Sequence, residues 1–410
     1  MISRQEAERI AAEWARRETL RLGYECTPML SEFDVGYVVW SRLPPDVVSV
    51  PGSGATTVID KETGEVSSWP ALPPAVVQDM YRRGRAGRLG GLRTVDPTLE
   101  LRRNTGRAAT PGAAAHLTVQ YDQHIAHGAK GEVELRHHPL VRDYLDDLPP
   151  GHLVRGGERH AELIVVSDVL HEYDRRQAAA GQPPLTEETA RELLGSSYLE
   201  LFRIREAGDP SGGPAERPCD SCVKALVYFG VLPWSHLAFT QEWRPAPQPV
   251  PVARRFPSEV AHALVEAGWR PGVGDKVLAD AAIARVTAVP GREFRHAEFP
   301  AARAALTAFP GLVSGRRGPG EQVWIRRFEI NPGSVAHTAD TLGDLARLIG
   351  SRLFPIGSEG GDSILAVDER GRVFALDQGG EWFIGADLDT ALTNLLLGRG
   401  PVRLDDDGRW

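Results

Sequence analysis

Two short stretches, His160-Ala161-Glu162 and Pro218-Cys219-Asp220-Ser221-Cys222, decide how this 410-residue chain is read. Imidazole nitrogen and thiolate sulfur are borderline-soft ligands suited to tetrahedral zinc. Hydrophobic periodicity predicts that each stretch opens a helix. Cys219 and Cys222 then fall within a first turn, where the positive end of the helix favours thiolate over thiol. His160, Cys219 and Cys222 make three good ligands. A structural site normally closes with four, so three leave an open position where a metal-held water would have a pKa near ~7. Glu162, two residues past the histidine, is placed to move that water's proton without being a ligand. Two alternatives fit the residues less well. A redox Cys-x-x-Cys would leave His160 and Glu162 unexplained, and a closed knuckle would need His152 or His171 as fourth ligand. His171 lies about three turns from His160 and fits poorly.

Working outward, residues 1–85 read as a small α+β unit. Ser3 and Glu6 suit a capping box, and Ala7, Ile10, Ala11 and Trp14 follow helical spacing. Tyr37–Trp40 reads as a strand, and Thr57–Trp69 as two strands around a Gly-containing turn. Trp14, Trp40, Trp69 and Cys26 read as core. Residues 86–112 read as an Arg/Gly-rich linker, with an arginine strip from Arg82 to Arg107 taken as solvated. Residues 113–244 alternate strands and helices, as an α/β domain does. Ala161–Gln177 is expected to be a largely buried helix. A short helix follows Thr186 with Glu187 and Glu188 in its first turn and Gly195 past its end. Tyr198–Arg205 is strand-like, and Cys219–Phe229 is a helix stopped by Gly230. Residues 245–255 form a Pro-rich linker. Residues 256–410 read as another α+β domain whose turns rest on Gly and Pro, with a hairpin centred on Asp368–Gly371.

From His138-Pro-Leu-Val141 through His160-Ala-Glu162 to Pro218-Cys-Asp-Ser-Cys222 and Val231-Leu-Pro233, the middle of the chain resembles the YwqJ-like deaminases of the cytidine-deaminase-like superfamily. The resemblance implies a three-layer α/β/α domain with a five-stranded sheet, zinc at two adjacent helix N-termini, and a bacterial toxin or immunity setting. The span 163–217 between the motifs departs from that pattern by an extra helix and a Gly/Pro loop, which leaves the substrate open. Phe256-Pro257, Ala267-Gly-Trp269, Phe299-Pro300, Phe309-Pro-Gly-Leu312, Leu353-Phe-Pro-Ile-Gly357 and Val367–Val373 resemble the SUKH superfamily of immunity and binding domains. The N-terminal hairpin with its Trp69-Pro70 ending is similar to YrhB-like immunity domains. The fold class expected is therefore multidomain: a central deaminase-like α/β domain flanked by small α+β domains.

The composition, 42% hydrophobic and 25% charged, is that of a globular chain, and three cysteines cannot build a disulfide framework. A net charge of −8 lacks the basic footprint of a general nucleic-acid binder. Residues 113–246 carry more acidic than basic side chains, which favours a free nucleoside, nucleotide or small heterocycle over a long polyanion; single-stranded nucleic acid stays a second possibility. Neither a secretory signal nor a membrane span is expected, so the expected location is cytoplasmic. The function expected is hydrolytic deamination with Zn2+ as cofactor and Glu162 and Cys219 as catalytic residues, the latter through its backbone N–H. The alternative is a binding scaffold that keeps a deaminase-like fold. His137, His138, Arg155 and Trp234 are nearby candidates for substrate contact, each more readily explained structurally, and the SUKH-like region is expected to bind a protein partner.

Overall fold

The computed structural model describes residues 2–22, 25–42, 56–62, 66–69, 74–75, 77–78, 81–82, 110–120, 122–215, 217–240 and 255–410. The expected linkers at 86–112 and 245–255, and the arginine strip beyond Arg82, fall almost entirely outside the described residues. Two compact units emerge: Met1–Arg93 with Gln120–His124, and Thr94–Val119 with Ile125–Trp410.

In the first unit α1 (Arg4–Leu22) precedes β1 (Thr27–Glu32), β2 (Gly36–Arg42), β3 (Thr56–Asp60) and β4 (Val66–Trp69), which pair in sequence order as an antiparallel meander. Ser3 Oγ accepts the Glu6 N–H at 3.2 Å, half of the expected capping box. The Glu6 carboxylate instead takes the Arg9 guanidinium at 2.6 Å. Strand alternation sorts the apolar residues onto two faces. Tyr37, Val39 and Ile59 meet Ala7, Ala11 and the partly buried Trp14 of α1, whereas Val38 and Val58 meet Phe33, Val77 and Trp40. Cys26 is buried, as expected.

The second unit begins with β5 (Gly112–Val119), the Ile125–His127 end of β6 (Asp122–His127), α2 (Pro139–Asp146), α3 (Ala161–Ala179), α4 (Glu187–Leu194), β7 (Tyr198–Ile204), β8 (Gly213–Pro214) and α5 (Asp220–Tyr228). Their sheet runs β6-β5-β7-β8, with β7 antiparallel to both neighbours. Among the described residues it has four strands, not the five that the resemblance implied. After α5 the chain turns at Gly230 with φ +80° and enters a 3-10 helix, Trp234–Thr240, rather than an edge strand. α3 packs on β5, and α2 and α5 pack on α3. The first ten residues of α3 are buried all round except Asp168, so this is a core helix and not an amphipathic surface one. Thr186 caps α4 by a reciprocal box with Thr189, and Gly195 ends it, as the sequence predicts.

The unit continues through α6 (Ser258–Glu266), α7 (Lys276–Thr287), α8 (Pro300–Ala308), β9 (Val313–Ser314), β10 (Phe328–Glu329), α9 (Ala339–Ile349), β11 (Leu353–Glu359), β12 (Ser363–Asp368), β13 (Val373–Asp377), β14 (Gly380–Gly385), α10 (Leu388–Leu397) and β15 (Val402–Arg403). Strands β9 to β15 form one antiparallel sheet in sequence order. Both of its faces are covered: Phe354, Leu365, Val367, Val373 and Ala375 look toward the core of α6, α8 and α10, while Leu353, Ile364, Ala366, Phe374 and Leu376 look toward α9. The aromatic residues of the quoted motifs are core: Trp269 stacks on Phe309 at 5.9 Å and meets Phe256 edge-on at 5.3 Å. The expected hairpin sits between β12 and β13, where Asp368 Oδ1 accepts the N–H groups of Arg370 and Arg372, both at 2.9 Å.

Candidate metal centre and active site

His160 and Cys219 are N-cap residues, of α3 and α5 respectively, both with extended backbone and neither using its side chain as a cap. The side chains that would normally quiet the helix N–H groups are turned to each other instead. His160 Nδ1 lies 3.4 Å from Cys219 Sγ and 3.4 Å from Cys222 Sγ. Tetrahedral zinc, with bonds of about 2.3 Å to sulfur and 2.0–2.1 Å to nitrogen, sets N···S edges near ~3.5 Å. His160, Cys219 and Cys222 thus have the donor set and spacing for such an ion, with all ligand atoms within 4.8 Å of one another. Neither proposed fourth ligand joins them: His152 packs edge-on near Trp324, and His171 Nε2 meets the Arg136 carbonyl at 3.1 Å.

The site is held from behind. Arg159 donates to the carbonyls of Ala129 (2.7 Å) and Gly131 (2.6 Å), which fixes the turn leading into His160. Ser221 lies 3.6 Å from Cys219 Sγ and accepts the Val154 N–H at 3.3 Å. Asp220, in the first turn of α5, accepts from Arg217 (3.2 Å) and from the Trp324 indole (3.3 Å).

Electrostatics polarise the cluster. Burial opposes charge on His160, but the adjacent Cys219 thiolate overrides it and lifts the ring to about 9. Cys219 is held well below the ordinary thiol range by its hydrogen bond from Cys222 and, against burial, by the charged His160 ring. Cys222, which donates that bond, is pushed up. Glu162, 3% exposed, is raised to about 7, chiefly by burial and against the pull of His160. A carboxyl poised near neutrality next to a ligand cluster is suited to take and return a proton.

Three side chains that sequence reasoning missed come from far along the chain. Gln378, between β13 and β14, accepts the Ala161 N–H at 3.1 Å and donates to Glu162 Oε2 at 3.4 Å. Arg326, ion-paired with Asp362, lines the same small cavity as Glu162, Cys219 and Gln378. No local pattern marks these residues; they become visible only when the sheet closes on the site. Tyr144 was also missed; its phenol is pushed up by burial and by nearby Cys222.

Three of the other four candidates have structural partners. His137 Nε2 meets the Glu158 carbonyl at 2.8 Å. His138 caps α2 and pairs with Asp174 at 2.9 Å. Trp234 is 78% exposed. Arg155 is buried on Glu359 (2.6 Å) and Asp377 (3.0 Å).

No helix among the described residues is long and apolar enough to cross a membrane. No curated protein and no solved structure matches the chain. Family models do: residues 5–88 match the Immunity protein 35-like domain, an immunity-type domain as the N-terminal hairpin leads one to expect. Residues 97–231, which carry the ligand cluster and Glu162, match the YwqJ-like deaminase, and residues 256–398 match the SUKH-3 immunity protein. Along the chain, a segment similar to the YwqJ-like deaminase thus lies between two segments similar to immunity proteins.

Proposed function

We propose that the chain is a zinc-dependent hydrolytic deaminase of a nucleobase-containing substrate, working in a toxin or immunity setting. Its domains are taken as 1–85, 113–244 and 256–410, the middle one a three-layer α/β/α deaminase fold. The observation that carries this reading is the pairing of a three-ligand cluster at two helix N-termini with a buried carboxyl, Glu162, raised to about 7. Bound at His160, Cys219 and Cys222, zinc would supply Lewis acidity, lowering the pKa of a water at the open position.

The rest falls to the chain. Overall, water adds to the ring carbon bearing the amino group, and ammonia leaves. Glu162 takes a proton from the attacking water, gives it to the ring nitrogen, and then assists the departing amine. The backbone N–H of Cys219, at the start of α5, faces the developing oxygen. Glu162→Gln should keep zinc at wild-type stoichiometry and lower turnover by about 10²–10⁴-fold, the usual range for general acid–base catalysis. Metal analysis with ammonia release from nucleosides, nucleotides and single-stranded nucleic acid measures both. Full turnover in the Gln variant would reject the assignment.

A second reading, a binding scaffold that keeps the deaminase fold, is favoured by one observation. The cavity beside Glu162 and Cys219 has a volume of only about 70 Å³. Ligand pockets usually run from about 300 Å³ upward. Zinc bound without turnover, in the full chain and in variants that open the cavity, would favour the scaffold.

A further inference from the structure

We propose that the C-terminal segment is an active-site-directed inhibitor acting in cis, whose Gln378 carboxamide occupies the place of a substrate's amide edge. The inference takes from the deaminase reading only the identity of the site being blocked.

Ala161 N–H and the Glu162 carboxylate are a donor and an acceptor side by side at the start of α3. A base entering to react at Glu162 would meet both, presenting a carbonyl and a neighbouring nitrogen. The Gln378 carboxamide has that pattern. Because Ala161 can only donate there, Oε1 must face it, and Nε2 is then left for Glu162. Gln378 is 7% exposed, so its side chain is sealed in the site rather than resting on its rim.

The turn that carries Gln378 is rigidly held. Asp377 Oδ1 accepts the Gly379 N–H and the Trp382 indole N–H, both at 3.0 Å, while its Oδ2 takes Arg155 of the deaminase-like segment at 3.0 Å. Arg155 also reaches Glu359 and Ser363, so the loop before His160 is clamped to β11, β12 and β13 together. Close backbone approach completes the fit. A Cβ on Gly128 would lie 2.7 Å from the Gln378 carbonyl, and one on Gly156 (φ +62°) would lie 2.6 Å from the Trp382 ring. Further out, Arg205 donates to the Asp362 carbonyl at 2.7 Å, Arg403 donates to the Gly131 carbonyl at 2.7 Å, and the Glu206 carboxylate accepts the first N–H groups of α9. The wall facing Glu162 and Cys219 is built from Arg326, Gly360, Asp362 and Gln378, which leaves the residual 70 Å³. That space holds about two waters, at ~30 Å³ each, and no nucleobase.

The test uses the full chain with Gln378→Ala and, as a second variant, Gln378→Glu, which sets a carboxylate against Glu162. Melting curves check that each variant is folded. Cys219 lines the blocked cavity, so alkylation by iodoacetamide, mapped by mass spectrometry on the metal-free chain, reads access without knowing the substrate. We expect slow modification in the wild type, and in both variants a rise of roughly tenfold or more, the shift expected from losing a hydrogen bond to a charged group. The zinc-loaded chains, offered the same nucleobase panel, should show ammonia release in the variants exceeding the wild type by a similar factor. Wild-type modification of Cys219 as fast as that of an open thiol, or the same rate in all three chains, would overturn the proposal. Faster modification with no turnover on any substrate would leave the blocked site standing and count against the deaminase reading.

Discussion

At the scale of single residues, the cluster stores protons in a way that zinc binding must undo. His160, lifted to about 9, is protonated at pH 7, as is the upward-shifted Cys222, whereas Cys219 is held well below the ordinary thiol range by its hydrogen bond from Cys222 and by the His160 charge. Metal binding needs a neutral imidazole and two thiolates, so the ligands should release about two protons at pH 7, one each from His160 and Cys222. Calorimetry of zinc binding in buffers of different ionisation enthalpy measures this number directly. A value near zero would mean that the metal-free cluster is not the thiolate–imidazolium arrangement described here. The ligands themselves were legible in the sequence because each motif spans only a few residues at a helix start, and backbone geometry brings its members together. Gln378 was not legible, since a lone glutamine in a turn carries no signal of what lies across from it.

At the scale of elements, capping separates what serves the fold from what serves the site. Thr186 caps α4 and His138 caps α2 through their side chains, and the first of these was readable from Thr186, Glu187, Glu188 and Gly195 alone. His160 and Cys219 occupy the same kind of position and do not cap. A missing cap costs α3 and α5 about 0.5–2 kcal/mol each, offset by the burial of both helices. The length and starts of α3 and α5 were legible for the same local reason, and so was the hairpin between β12 and β13, whereas β9, β10 and β15, two residues each, are too short to leave a periodic pattern. Between elements, Arg155 is decisive. It is the buried cation between Glu359 of β11 and Asp377 of β13. Arg155→Ala would leave two carboxylates buried without it, and the expected loss is about 3–5 kcal/mol. Urea unfolding measures it, and the loss should change little with salt, since buried pairs are poorly screened. A loss under about 1 kcal/mol would show that the clamp between loop and sheet is not energetically coupled.

At the scale of the molecule, the deaminase-like and immunity-like segments of residues 94–410 form one compact unit, so a change in the stability of one should be felt in the other. His296 provides a probe distant from the ligand cluster. It is buried against Phe354, with ring centroids 5.9 Å apart, and burial lowers its pKa to about 4, against weaker upward pulls from the Ala336 backbone and Asp340. Above its unfolded value of 6.5 the ring is neutral in both states, and the stability it permits is fully present. As the pH falls from 6.5 toward 4, the unfolded chain takes up a proton that the folded one refuses, so stability declines; below about 4 the loss is complete. At ~1.4 kcal/mol per pKa unit this amounts to about 3.5 kcal/mol as an upper figure. His296→Asn should therefore show a flatter stability profile between pH 7 and pH 4 than the wild type. If the segments unfold as one, the amides of α3 should report the same flattening by hydrogen exchange, although α3 lies outside the segment that holds His296. Exchange in α3 that is indifferent to this substitution would show that the two segments open independently.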